Sequence, residues 1–171
     1  MIAGVILSET LDKDSKIAFL DEKLKVFSVE TNQDIVELFE EFRPEIVAFD
    51  VGTEQGMKEF TQSEQELQEE GFIFTPNSHQ EKKVERLQSL KRHVKHKLDY
   101  IPDFIRFEPQ ITAEELMLDG EDALSSLGVE GDIGGAREFN AVLGAVTSRF
   151  YNQGQFNEYG IVVPKNLDEE T

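Results

Sequence analysis

Apolar residues are spaced along this chain in two ways, and the spacing predicts most of its elements. Residues 2–7 and 46–49 are unbroken apolar runs. A strand covered on both faces has no reason to alternate, so such runs predict interior strands of an α/β sheet. Residues 16–20 and 24–29 are further strand candidates, separated by Asp21-Glu22-Lys23 as a hairpin turn, with Leu24, Val26 and Ser28 on one face. The polar segment 11–15 is a turn. Three strands joined by short polar turns predict an antiparallel meander.

Elsewhere the period changes to three and four. Ile35, Leu38, Phe39 and Phe42 form the apolar stripe of a helix capped by Thr31 or Asn32 and stopped at Arg43-Pro44. A helix between residues 2–7 and 46–49 implies a right-handed parallel crossover. Residues 54–70 are rich in Gln and Glu, with sparse apolar positions Met57, Phe60 and Leu67, and predict an exposed helix ended by Gly71. Residues 72–76 are extended. Val84, Leu87, Leu90 or Lys91, Val94 and Leu98 predict a long helix over 78–98, and residues 104–109 another strand. Thr112-Ala113-Glu114-Glu115 has capping-box spacing and predicts a helix from Thr112 to about 118, followed by a short one over 120–127. Glycines 128, 131, 134 and 135 make a flexible joint, without the lysine and serine of a phosphate-binding loop. The last helix, 136–151, carries Phe139, Val142, Leu143, Val146 and Phe150 on one face. Its small residues Ala141, Gly144 and Ala145 permit close approach to a sheet. Residues 160–165 form an extended closing piece.

The expected architecture is a mixed five-stranded α/β sheet, with strand 46–49 interior and beside the first strand. One domain spans 1–165, and 166–171 is an acidic, disordered tail. At 39% hydrophobic and 30% charged the chain is globular. No apolar run is long enough to cross a bilayer and no charged-then-apolar leader opens the sequence, which points to a soluble cytoplasmic protein with no membrane partner. Cysteine is absent, which removes disulfides and thiol chemistry.

A net charge of −18 opposes nonspecific binding to nucleic acid, favours solubility and suits adaptation to high salt. The charge is uneven. Between His79 and Lys97 seven Lys and Arg residues face two acids. Lys82, Lys83, Arg86, Lys91, Arg92 and Lys95 lie off the apolar stripe of helix 78–98, either as a solvated face or as a surface for nucleic-acid phosphates. His93 and His96 lack a third ligand at helical spacing and are better read as surface residues.

Asp50 follows the interior strand 46–49, at the carboxyl end where ligands gather in α/β sheets; Asp before a nearby Gly is also ordinary turn chemistry. Glu108 ends strand 104–109 in the same manner.

The order of elements resembles the ribonuclease H-like fold. In enzymes of that superfamily, acids on the first strand, the fourth strand and the last helix hold two magnesium ions. Such a pair, about 4 Å apart, clamps an in-line phosphoryl displacement. Four stretches resemble a family of uncharacterised proteins predicted to be nucleases of this fold. Val47-Ala48-Phe49-Asp50-Val51-Gly52 is similar to its Asp-Ile-Pro-Ile-Gly strand end, and Phe107-Glu108-Pro109 to its Glu-Val-x-Pro region. Residues 139–145 resemble its Asp-Ala-Leu-Ala-Ala-Ala helix, and Ile161-Val162-Val163-Pro164-Lys165 is similar to its ending. The resemblance implies a site of Asp50, Glu108, Glu138 and Asn140, with Asp50 and Glu108 as ligands for Mg²⁺ or Mn²⁺.

This chain also departs from the family pattern. Ile6 stands where the family's first strand carries aspartate, and Asn140 replaces its helix aspartate. Glu9 and Glu138 are the nearby acids, although Glu138 and Asn140 point in different directions on a helix. A glycine-rich Arg/Cys-Asp segment of the family is replaced by the Gln/Glu-rich stretch. The implied function is a divergent nuclease-like protein with a degenerate metal site and weak or no phosphodiester hydrolysis. The alternatives are a non-catalytic domain that binds nucleic acid or protein, and a small-molecule or structural role on the same scaffold.

Overall fold

The computed structural model describes residues 1–10, 13–53 and 60–165. Parts of the turn at 11–15 and of the Gln/Glu-rich stretch, and the acidic tail, therefore lie outside the described residues.

The meander forms as its pattern requires. β1 (Ile2–Ile6), β2 (Ser15–Leu20) and β3 (Leu24–Val29) pair antiparallel in sequence, with Gly4 opposite Ala18 and Ala18 opposite Val26. α1 (Asn32–Phe42) then crosses to β4 (Ile46–Phe49), which lies parallel to β1. Thr31 caps α1: its side chain accepts from the Asp34 N–H while the Asp34 carboxylate accepts from the Thr31 N–H. Arg43 closes the helix in the left-handed region (φ 50°). β5 (Asp103–Arg106) pairs parallel with β4, so the sheet order is β3-β2-β1-β4-β5 and both unbroken apolar strands are interior, as expected.

Helices cover both faces. α1 and α3 (Glu81–Lys97) bury Ile35, Phe39, Leu87, Leu90 and Val94 against Val5, Phe19, Val47 and Phe49. On the other face α6 (Ala136–Asn152) lies against β1 and β4. The predicted stripe of small residues sets that spacing. A Cβ at Gly144 would stand 2.7 Å from the Phe107 ring and 2.8 Å from the Gly4 Cα, and one at Gly4 would run into the backbone of Ala141 and Ala145. The Ser148 hydroxyl donates to the Ala3 carbonyl at 3.0 Å, so helix and strand meet backbone to backbone.

Four expectations need correction. The Gln/Glu-rich segment forms α2 (Gln62–Glu69), but it is not an exposed helix: Glu64 and Leu67 are wholly buried. A 3-10 turn, Asn77–His79, precedes α3, which therefore starts at Glu81 rather than at 78. Thr112 does not cap a helix. Pro109, preset for a first helical turn, starts α4 (Pro109–Glu115) one turn earlier with Glu108 at the cap, and Thr112 is buried against Thr147 at 2.8 Å. The closing piece pairs with a short strand the pattern did not predict, β6 (Phe156–Glu158) against β7 (Val162–Pro164). α5 (Glu121–Leu124) stands where a short helix was expected. No helix among the described residues is long and apolar enough to cross a membrane.

Substituting Gly144 tests the backbone contact. Gly144→Ala places a methyl against backbone and a buried ring, and is expected to lower stability by roughly 2 kcal/mol in urea denaturation. An unchanged midpoint would show that α6 moves away from β1 freely.

Candidate functional site

The carboxyl ends of β1, β4 and β5 share one rim, and the chain's buried charges collect there. Asp50 follows β4 directly and is 8% exposed. Its Oδ1 accepts from the Leu7 N–H at 3.2 Å, tying the ends of β1 and β4 together. Its Oδ2 accepts from the Lys83 Nζ at 2.6 Å, an ion pair that is largely enclosed.

Arg106, the last residue of β5, is 6% exposed. Its Nη2 donates to Glu64 Oε2 at 2.9 Å and to Glu108 Oε1 at 3.1 Å. Glu64 also accepts from the Thr61 N–H at 2.9 Å and the Asn77 N–H at 2.7 Å. The Asn77 amide reaches on to the Gly52 carbonyl at 3.2 Å. One guanidinium therefore links α2, the 3-10 turn, the end of β4 and the start of α4. Sequence reasoning missed Glu64, Asn77 and Arg106. Thr61-Gln62-Ser63-Glu64 carries a capping-box signal, but nothing local shows that Glu64 is buried.

The two carboxyls on Arg106 respond in opposite ways. Burial alone would raise Glu64, but hydrogen bonds from Thr61 and Asn77 and the Arg106 charge outweigh it and hold its pKa below the usual range. Burial dominates at Glu108 and pushes its carboxyl up to about 7. Arg106 offsets part of this shift, while the charges of Asp50 and Glu64 add to it.

The other site candidates are dispersed. Asn140 is half-buried and shares a cavity of about 420 Å³ with Glu108, Phe74, Gln110 and Phe139. Neither Asp50 nor Glu138 lines that cavity. Glu138 caps its own helix by accepting from the Gly135 N–H at 3.0 Å and pairs with Lys16 on β2 at 3.1 Å. Ile6 is buried among the apolar residues facing α6. Among the described residues no group of three or more His, Cys, Asp or Glu is placed to hold a metal ion.

The basic set on α3 divides. Arg86 is buried, donating to the Ser8 hydroxyl at 2.6 Å, the Asn32 side chain at 3.0 Å and the Glu30 carbonyl at 2.9 Å. Lys83 meets Asp50, and Lys91 donates to the Thr53 hydroxyl at 3.3 Å. Lys82, Arg92 and Lys95 are exposed.

No family model and no curated protein matches the chain. Solved structures that resemble it in fold include two of RuvC. One is RuvC of T. thermophilus in complex with a Holliday junction substrate, with a TM-score of 0.56 and 17% identity over 96% of this chain and 99% of that one. The other is a Thermus thermophilus RuvC structure, with a TM-score of 0.50 and 14% identity over 95% and 98%. The architecture is the ribonuclease H-like fold, shared with RuvC, on a sequence only 17% identical to it.

The Glu108 shift gives stability a pH dependence. A carboxyl whose pKa rises from 4.5 unfolded to about 7 folded binds its proton more tightly in the folded state. Its contribution is full below about pH 4.5 and is lost as pH rises through about 7. Glu108→Gln keeps the neutral form at every pH. Denaturation at about pH 5 and about pH 8 should show the variant gaining on the native protein as pH rises. A constant gap would mean that Glu108 is not forced toward neutrality.

Proposed function

We propose that this chain is a nuclease-fold domain whose acidic rim is neutralised by its own cations, and that it does not hydrolyse phosphodiesters by two-metal chemistry. The observation that carries this reading is Lys83 Nζ at 2.6 Å from Asp50 Oδ2, an ammonium seated on the carboxylate that the family resemblance makes a ligand. Arg106 sits on Glu108 in the same way. Ile6 offers no donor, and Asn140 offers a neutral oxygen. Asp50 and Glu108 remain as the candidate ligands for Mg²⁺ or Mn²⁺, and both already accept hydrogen bonds from cationic side chains. Mg²⁺ sheds water reluctantly and asks for near-octahedral oxygen donors, so this donor set does not suit a pair of such ions. Asp50, Glu108, Glu138 and Asn140 are then remnants of a catalytic arrangement.

Purified protein with Mg²⁺ or Mn²⁺ should not cleave single-stranded DNA, duplex DNA, RNA, a hybrid or a four-way junction above the level of Asp50→Asn. Calorimetry should show metal affinity at least about tenfold higher in a triple variant, Ile6→Asp, Lys83→Ala and Asn140→Asp, than in the native chain. Native cleavage that Asp50→Asn abolishes would overturn the proposal.

A second reading is that the domain binds nucleic acid without cutting it. The exposed Lys82, Arg92 and Lys95 favour it, and so does the likeness to a RuvC bound to a junction. Reversing these three charges should weaken retention of a junction or duplex in gel shifts by about tenfold or more at moderate salt. Retention that does not change would place any binding on another surface.

A further inference from the structure

A second cavity, of about 180 Å³, lies between α3 and the strands β4 and β5. Phe49, Leu87 and Phe104 supply apolar wall, and its polar side chains are Thr53, Lys91 and Arg106. Among the described residues no carboxylate lines it, in a chain with 35 acids and 17 Lys and Arg residues. We propose that this cavity binds a small organic anion, with Lys91 receiving a carboxylate or phosphate head and the rings enclosing an apolar or aromatic body.

Three observations support this. Lys91 pairs with no carboxylate among the described residues. Its Nζ has one hydrogen bond, to the neutral Thr53 hydroxyl, and lies 5.5 Å from the Phe104 ring centre. An ammonium carries three donors, so two are open to a ligand. Burial lowers the Lys91 pKa, as expected for a cation held without a counter-ion. Arg106 lines the same cavity. Its Nη2 is shared by Glu64 and Glu108, but its Nε is buried with no hydrogen-bond partner. Gly52 keeps the space beside it clear, since a Cβ there would come within 3.0 Å of the Arg106 Cδ.

The dimensions limit the ligand. An apolar cavity of about 150 Å³ accommodates benzene, so this one suits a single ring or a short chain with one charged group. A nucleic-acid backbone presents phosphates in series and does not fit. The proposal is independent of the acidic rim's activity.

The test uses benzoate, phenyl phosphate and inorganic phosphate as probes, with calorimetry and amide chemical-shift mapping on the full chain. Benzoate or phenyl phosphate is expected to bind with Kd on the order of a millimolar or tighter. Shifts should centre on Thr53, Leu87 and Lys91. Lys91→Gln keeps most of the side chain and removes its charge, and should weaken binding by about tenfold or more. Lys23→Gln, in an exposed turn, should leave binding unchanged. Binding of benzoate alone identifies a carboxylate head, and of phenyl phosphate alone a phosphate head. The proposal is overturned if no probe binds, if Lys91→Gln binds as well as the native chain, or if shifts are confined to the exposed lysines of α3. Inorganic phosphate binding as tightly as phenyl phosphate would remove the organic body from it.

Discussion

A guanidinium buried at the end of a strand has to meet negative charge, and Arg106, ending the edge strand β5, meets one carboxylate that is wholly buried and another that is nearly so. Two acids on one cation leave an excess negative charge where water is scarce, and isolated charge in such a place is costly. The relief is a proton, and Glu108 holds one up to about pH 7, while the hydrogen bonds on Glu64 keep that acid ionised. This charge arrangement also does structural work. Residues 60–79 contribute little to the main core; Leu67 belongs to a small separate cluster with Ile111, Ile161 and Val163. Their attachment to the sheet runs largely through Glu64, Asn77 and Arg106, so polar groups hold in place a segment that apolar burial alone would leave loose.

Asp50 and Lys83 follow the same rule one strand away. Removing one partner of an enclosed pair leaves the other charged and desolvated, which costs far more than the pair itself contributes. The rim is therefore self-consistent as it stands. An acid introduced at position 6 or 140 would leave the Lys83 ammonium on Asp50, and would not by itself free that carboxylate.

The sheet was legible because its information is local. Unbroken apolar runs marked β1 and β4 as interior, Thr31 and Arg43-Pro44 bracketed α1, and the small residues of α6 foretold its contact with β1. The failures arise where a distant residue decides. Glu64 looks like an exposed helix acid until Arg106, forty-two positions later, is brought to it. The capping pattern at Thr112 was sound locally and lost to Pro109 three residues earlier. The polar strand β6 has no apolar signature at all. At the rim, Asp50 and Glu108 could be picked out by their positions at strand ends. A helical wheel, however, shows only that Lys83, Arg86 and Lys91 leave the leucine stripe. It does not show that Asp50, Ser8 and Thr53 wait on the far side to receive them.

That inward turn changes what the net charge means. Lys83, Arg86, Lys91 and Arg106 are engaged within the fold, so they do little to offset the acids outside, and the surface is strongly negative around a small basic island at Lys82, Arg92 and Lys95. The two act over different ranges. The diffuse negative field reaches tens of ångströms at low ionic strength but is screened within about 8 Å at physiological salt, whereas a lysine in contact with a phosphate is screened much less. A polyanion approaching α3 is therefore repelled most in dilute buffer, and moderate salt removes the repulsion before it removes the contacts. Ordinary nucleic-acid binding proteins lose affinity steadily as salt rises. If nucleic acid binds this surface, as the second reading has it, the same physics gives an affinity that first rises and then falls.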